Sequence, residues 1–471
     1  MIQSKLLKRL KKICLIPGQR RADKIRYFSK KMSAFSGQPP PRGLGKRRGR
    51  WRNPLILRSL LSHSSFQKNF ELGLLALFSI FLSAYKILMN DWNNYRIFYF
   101  SFEHLAAGVQ LYTHYPDQYF DLFKYSPSFA ALMSVFSFLP LWVGAILWNI
   151  FGVLFLWTGL YRCFQDPRPR GLLYFLLLPE WIGQVQNFQS NALLAGILLH
   201  GFADFMNKKW WRAGLLIGLS FHIKIFGAAL GALGFLWGWR SFFRGGAWSL
   251  FFLIVVSLIP LFWVSPSQLI VLYKEWIELL QWDQSSSQGA SFMGVFRSLA
   301  GFQLPNLPTQ LLSFVLMMGA WILQLNKSRE DTEANASRLQ SFSMLLIWMI
   351  VFNHKSESPT FILGMVGFAL WFLKTPSASA FPNRQKYELP KNKVTNSFTL
   401  NPPTQWRSPL LWVTFVFVSV LSSDLIPPNW KTHWILPLEM KVWPFIAVWF
   451  FLVFREYYDF FKSRGSSTAA V

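Results

Sequence analysis

Two cysteines in 471 residues, Cys14 and Cys163, leave no room for a disulfide framework or a cysteine-based metal cluster. Acid is scarce as well, with 21 Asp and Glu against 48 Lys and Arg. Such an excess of base raises nucleic acid as a partner, but no base-reading module occurs, so none is expected. The charge is concentrated where membrane topology accounts for it: residues 1–70 hold 19 of the basic residues and one acid, Asp23. No internal repeat of the kind expected in many secondary transporters is found. No apolar run follows the first charges, so no cleavable secretory signal is expected.

What is abundant is lipid-soluble surface. The chain is 52% hydrophobic and 18% aromatic, and its mean hydropathy is positive. Its apolar residues come in blocks that approach the roughly 20 residues a helix needs to cross a bilayer, and lipid obliges each block to satisfy its own backbone hydrogen bonds. The expected fold class is an all-α polytopic membrane protein with roughly ten to thirteen transmembrane helices. Four regions follow: a basic cytoplasmic segment, 1–70; a membrane-embedded core, 71–374; a polar cytoplasmic loop, 375–407; and C-terminal transmembrane helices with a short tail, 408–471.

Taken in order, residues 2–15 set Leu6, Leu7, Leu10 and Ile13 on one helical face among lysines and an arginine. That pattern suits a helix lying on an anionic membrane surface; a solvated basic tail and an organelle transit peptide are the other readings. The first span, 72–89, runs outward from the basic side and delivers Asp91 to the extracytoplasmic face. The block 128–161 is interrupted by Pro140 and crosses either once or twice. Residues 213–239 hold Lys224 at their middle. A charge that deep is costly, so the helix is expected to break near 222–226 and turn back along a polar cavity. Further outer loops are expected at 265–308 and 353–359. With Lys86 and Glu180 counted inside the membrane, the outer segments carry eight basic and ten acidic residues and the inner ones 39 and ten.

The polar segment 91–127 organises this layout, and it carries four carboxylates: Asp91, Glu103, Asp117 and Asp121. Other polar clusters fall on the same face: Asn93 and Asn94; His104; Lys124; Gln184, Gln186 and Asn187; Lys224; and His354, Lys355 and Glu357. Such a set suits glycosyl transfer from a lipid-phosphate donor whose tail lies in the bilayer. A carboxylate removes the acceptor proton, and cations stabilise charge on the departing phosphate. Each residue also has a plainer role open to it. Asp91 is a helix-end cap, Asp117 and Asp121 fix a loop, Lys224 snorkels to headgroups, and His354 with Lys355 makes a dipole-stabilised turn.

The order of these features resembles glycosyltransferase family 87 over residues 72–373. The features are Asp91 past the first span, Gly108-x-x-Leu111-Tyr112, Tyr125-Ser126-Pro127 opening the next helix, Gln186-Asn187 between spans, Lys224 in a small-residue helix, and Ser291-x-x-Gly294. Members are similar to polyprenyl-phosphate-mannose-dependent α-mannosyltransferases of the C-type superfamily. The resemblance implies a C-type fold with a large first extracytoplasmic loop, in a multi-pass protein of the plasma membrane with a cytoplasmic N-terminus. It implies a hexosyltransferase that moves a sugar, mannose in this family, from a polyprenyl-phosphate donor to a glycolipid or glycan acceptor. The displacement would be inverting, with Asp91 as base. Lys224, His354 and Lys355 would serve the donor phosphate, Gln186 and Asn187 would line the pocket, and Asn94 and Tyr125 join them as substrate-binding candidates. No acidic metal-binding pair is evident, so no metal and no cofactor are expected. The long basic N-terminus departs from the family pattern.

Two other classes compete. A transporter or lipid flippase should set polar residues along a path through both leaflets. A non-catalytic membrane assembly protein should tolerate Asp91→Asn.

Overall fold

The computed structural model describes residues 64–164, 170–286, 288–327, 331–354, 356–373, 404–421, 423 and 425–468. The basic segment up to residue 63, with Cys14, and most of the loop 375–407 lie outside the described residues. The architecture below is that of the compact unit Lys68–Val471. The described residues contain no strand.

Helix α1, Ser64–Leu88, is followed by α2, Asn93–Ala107. Gly108 stops α2 in the left-handed conformation at φ 67°, returning its N–H to carbonyls of the last turn; a side chain there would strain the backbone. Two short helices follow, α3, Pro127–Leu132, and α4, Ser134–Ser137, before α5, Leu141–Cys163. Pro140 opens α5 in an extended conformation, so the block 128–161 contains one helix of spanning length. Next come α6, Arg170–Gln186, α7, Asn191–Met206, and α8, Trp210–Ile223.

Helix α8 ends where a buried charge made a break expected. Lys224 is extended, at φ −149° and ψ 124°, and a 3-10 segment, Ile225–Trp237, follows it. That segment runs back along α8: Gly227 lies against Ser220, and Gly231 against Ile217. The region expected as an open outer loop after α9, Trp239–Ser257, is largely helical, forming α10, Pro266–Ser286, and α11, Phe292–Ala300. The rest comprises α12, Asn306–Lys327, α13, Asp331–Val351, α14, Phe361–Phe372, α15, Thr404–Phe415, the single turn α16, Pro428–Trp430, and α17, Trp443–Thr468. The last helix runs on to Thr468.

Four helices among the described residues are long and apolar enough to cross a bilayer: Gln67–Leu88, Leu141–Cys163, Trp239–Phe262 and Asn306–Leu325. A fifth is formed if Pro428–Ile435 and Met440–Lys462, which meet at 75°, count as one broken span. This is fewer than the ten to thirteen expected, because other apolar blocks form shorter helices such as Pro127–Ser137, Asn191–Met206 and Ile225–Trp237. Together these features make an all-α polytopic membrane protein.

Burial sorts the helices into two layers. Every residue of α14 is buried, as is almost all of α7. In the spans Gln67–Leu88, Trp239–Phe262 and Asn306–Leu325 only 22%, 17% and 22% of the most apolar stretch is buried. Apolar side chains that face outward on so many turns suit lipid contact. Polar groups gather toward the two ends of α1. At its start Glu71 accepts hydrogen bonds from Tyr161 (2.7 Å) and Tyr174 (2.8 Å), while Arg162 and Arg212 hold the buried Asp204 at 2.5 and 3.4 Å. From Glu71 to Leu88 the helix rises about 26 Å, and beyond it lies the second polar end.

Candidate active site

At that second end the chain leaves α1 through Asp91. Its N–H donates to the Lys86 carbonyl (2.9 Å), and its carboxylate pairs with the Lys86 ammonium while remaining two-thirds exposed. Trp92 then buries its ring and stacks on Tyr95. Asn93 grips the backbone of Phe120 twice, accepting from its N–H at 2.6 Å and donating to its carbonyl at 2.5 Å. That clasp closes the segment 91–127 on itself. Within it, Asp121 adopts a positive φ of 81° and accepts from Leu122 N–H (2.7 Å), with Lys124 at 3.6 Å. Asp121 therefore fixes the loop, the plainer of its two expected roles.

His104 is buried in the same segment, stacked on Tyr115 with ring centroids 3.8 Å apart and 2.7 Å from Gln118 Oε1. Burial lowers its pKa below the ordinary histidine value, partly offset by the Gln118 bond. With Nε2 donating to Gln118, Nδ1 is buried without a partner, so the neutral imidazole fits the site.

Behind this loop several of the expected residues meet. The Asn94 side chain donates to the Asn187 carbonyl (2.9 Å), and the Asn187 side chain donates to Gly183 O (2.8 Å). Three residues on, Ser190 Oγ lies 3.0 Å from the Tyr125 hydroxyl. Tyr112 donates to the Tyr125 carbonyl (3.0 Å), which accounts for the Leu111-Tyr112 end of that motif. Burial, more than the nearby Glu357 charge, pushes the Tyr125 hydroxyl pKa up, against the opposing effect of the Ser190 bond. Tyr125 is thus a neutral hydrogen-bonding group rather than a base. Gln186 sits half-buried at the end of α6.

Ser126 caps α3 by accepting from Phe129 N–H (3.1 Å), with Pro127 at the first helical position, where its missing N–H costs nothing. The same hydroxyl donates to the His222 carbonyl (2.8 Å). The His222 ring lies 3.2 Å from Ser126 Oγ and 3.2 Å from Ser257 Oγ. Tyr125-Ser126-Pro127 thereby anchors α3 to the turn that ends α8, two residues before Lys224. The Lys224 ammonium lies over the Phe226 ring at 5.9 Å, within electrostatic reach of Glu357.

The stretch around His354 is held from several sides. Its carbonyl accepts from Gly289 N–H (2.6 Å), and the Ser356 carbonyl accepts from Ala290 N–H (3.2 Å). Gln310 donates to Phe352 O (2.9 Å) and reaches His354 Nδ1 at 3.4 Å. Gln184 donates to the Pro359 carbonyl. Lys355 lies outside the described residues. Ser291-x-x-Gly294 has a local structural cause: Ser291 caps α11 by accepting from Gly294 N–H (3.1 Å), and a Cβ at Gly294 would fall 2.1 Å from the Gly289 carbonyl oxygen.

The structure thus joins Asn94 to Asn187, sets Tyr125 beside the same turn, and brings Lys224 within reach of the loop that carries His354. Asp91 sits at the edge of this group, on the loop and bound to Lys86. The sequence placed Gln184 and Glu357 in its polar clusters without a role of their own and did not single out Ser190, His222, Glu180 or Lys441, all of which hold or charge the site. The spacing of Glu180 and Gln184, four apart on one face of an otherwise apolar helix, was the signal available.

Residues 123–351 match the family model for glycosyltransferase family 87. No curated protein matches the chain. The matched stretch contains Tyr125, Gln186, Asn187 and Lys224, stops short of His354, and begins after Asp91 and Asn94. With its all-α, membrane-spanning fold, the chain is similar to glycosyltransferase family 87 over residues 123–351, and that match supports a membrane glycosyltransferase.

Proposed function

We propose that this enzyme transfers a hexose, mannose by family resemblance, from a polyprenyl-phosphate donor to an acceptor hydroxyl at the Asp91 end of the bundle. We take that end as the extracytoplasmic face of the plasma membrane, with the basic N-terminus in the cytoplasm. The observation that carries the reading is convergence. Five polar side chains from four separate stretches, Asn94, Asn187, Tyr125, Lys224 and Glu357, gather at one end of an otherwise apolar bundle.

Asp91 acts as the general base in an inverting displacement: its exposed carboxylate takes the acceptor proton as the hydroxyl oxygen attacks the anomeric carbon. The bond from that carbon to the donor phosphate oxygen breaks, and the lipid phosphate leaves with its electron pair. Lys224, His354 and Lys355 stabilise the charge on that phosphate. Asn94, Gln186, Asn187 and Tyr125 orient sugar and acceptor by hydrogen bonds. A mostly apolar groove of about 610 Å³ beside α10, lined by Leu258, Leu269, Ile270, Tyr273 and Ile277 among others, offers room for a lipid tail. From its wall, hydrogen bonds run from Tyr273 to Ser128 and the Ser257 carbonyl, and from the Ser257 hydroxyl to His222, two residues before Lys224.

The test is sugar transfer by purified protein in lipid nanodiscs. Polyprenyl-phosphate-mannose is compared with nucleotide-mannose as donor, native membrane lipids serve as the acceptor pool, and Asp91→Asn runs in parallel. Transfer from the lipid donor that disappears in the variant is the expected result. Wild-type turnover by Asp91→Asn would remove Asp91 as the base, and transfer from the nucleotide donor alone would overturn the donor assignment.

A further inference from the structure

Lys441 lies at the start of Met440–Lys462, just past its bend from Pro428–Ile435, in a part of the chain the family match does not cover. Its side chain is nevertheless buried against Glu180 of α6, with Nζ 3.2 and 3.4 Å from the two carboxylate oxygens. Two charges taken out of water need close mutual compensation, and this pair has it. The ammonium does more than neutralise Glu180, however. It also donates to Ser358 Oγ at 2.7 Å, lies 3.4 Å from the Ser358 carbonyl, and sits 4.8 Å over the Phe361 ring.

Ser358 adjoins Glu357, whose charge lies within electrostatic reach of Lys224 and Tyr125. One turn further along α6, Gln184 donates to the next residue, Pro359. Two successive turns of one helix therefore hold successive residues of the stretch 356–359, the first of them through Lys441. On the other side, Ala290 fixes Ser356 by its backbone.

We propose that Lys441, oriented by Glu180, is a positioning residue that sets where Glu357 stands relative to Lys224. The C-terminal broken helix is thereby a working part of the active site and not an appendage to the matched core. The proposal rests on the reading of Lys224 as the donor-phosphate cation, because that is the group whose surroundings it fixes. It concerns alignment alone: Lys441 touches no reacting atom.

Its test pairs hydrogen exchange of the peptide covering 356–360, measured in nanodiscs, with kcat and KM for transfer from polyprenyl-phosphate-mannose. Lys441→Met is expected to speed exchange in that peptide, with no change in peptides from α7, and to lower kcat by roughly 100-fold, the scale of a small misplacement at a reacting centre. Ser358→Ala, which leaves the Glu180–Lys441 pair whole, should give a smaller change of the same kind, and Lys441→Arg should recover most of the rate. The double variant Glu180→Leu with Lys441→Met removes both charges and serves as the control for folding. It should regain the wild-type unfolding midpoint yet keep the fast exchange and low kcat. Recovery of rate together with midpoint would reduce the pair to a structural brace and overturn the proposal, as would unchanged exchange in Lys441→Met. If wild-type protein transfers no sugar from the lipid donor, the functional reading fails and the exchange experiment alone decides the positioning role.

Discussion

Lys86–Asp91 and Lys441–Glu180 are the same pair of chemical groups in opposite surroundings. Asp91 is two-thirds exposed at the end of a helix, whereas both partners of the second pair are less than a tenth exposed. With Asp91 facing water and Lys86 17% exposed, the first pair is the weaker one, so on the proposed mechanism an acceptor hydroxyl displaces Lys86 from Asp91 at the smaller cost. A buried pair resists such exchange, because removing one partner strands the other charge. The first pair is suited to opening during turnover and the second to holding still.

That contrast can be broken at its buried end first. Lys441→Met should destabilise the protein by about 3–5 kcal/mol, read as a lowered unfolding midpoint in detergent, and adding Glu180→Leu should restore most of the loss. Asp91→Asn probes the exposed end: turnover should fall at least 100-fold, the lower bound for a lost general base, with stability changed by no more than about 0.5 kcal/mol. Loss of stability as large as that of Lys441→Met would erase the distinction between the pairs. Asn94→Ala removes the hydrogen bond to the Asn187 carbonyl and should cost about 1 kcal/mol, seen in thermal unfolding, with a raised KM.

The smallest effect is expected from His104, which sharpens the comparison because it is buried without any counter-charge. Its folded-state pKa is depressed by burial, so protonation favours the unfolded chain. The stabilising contribution of neutral His104 is therefore present above the ordinary histidine value and declines as pH falls from that value through the lower folded one. His104→Phe should flatten this part of the stability profile between pH 7 and pH 5.

Some of this was legible before any coordinates. The break at Lys224 followed from the cost of a charge inside an apolar run. Pro140 was ambiguous because proline both opens helices and interrupts them, and only the short α3 and α4 before it settle that α5 crosses alone. Asn94 and Asn187 lie 93 residues apart, and nothing in either local sequence announces the other. Lys441 fell among residues read only as C-terminal transmembrane helices, and Glu180 reads as a stray intramembrane charge. Each makes sense only when the bend at Glu439, with φ 50°, brings them together. Ser291-x-x-Gly294, in contrast, was visible as a motif, while its cause, a helix cap and a close backbone approach, was not.

The extended residue at 224 also governs parity. A continuous helix from Trp210 to Trp237 would measure about 42 Å, more than enough to traverse a hydrocarbon core of roughly 30 Å. Because the chain doubles back after Ile223, it re-emerges beside its own entry point and that traverse is cancelled. One non-helical residue turns what would be a span into a hairpin whose two ends, Trp210 and Trp237, lie against each other.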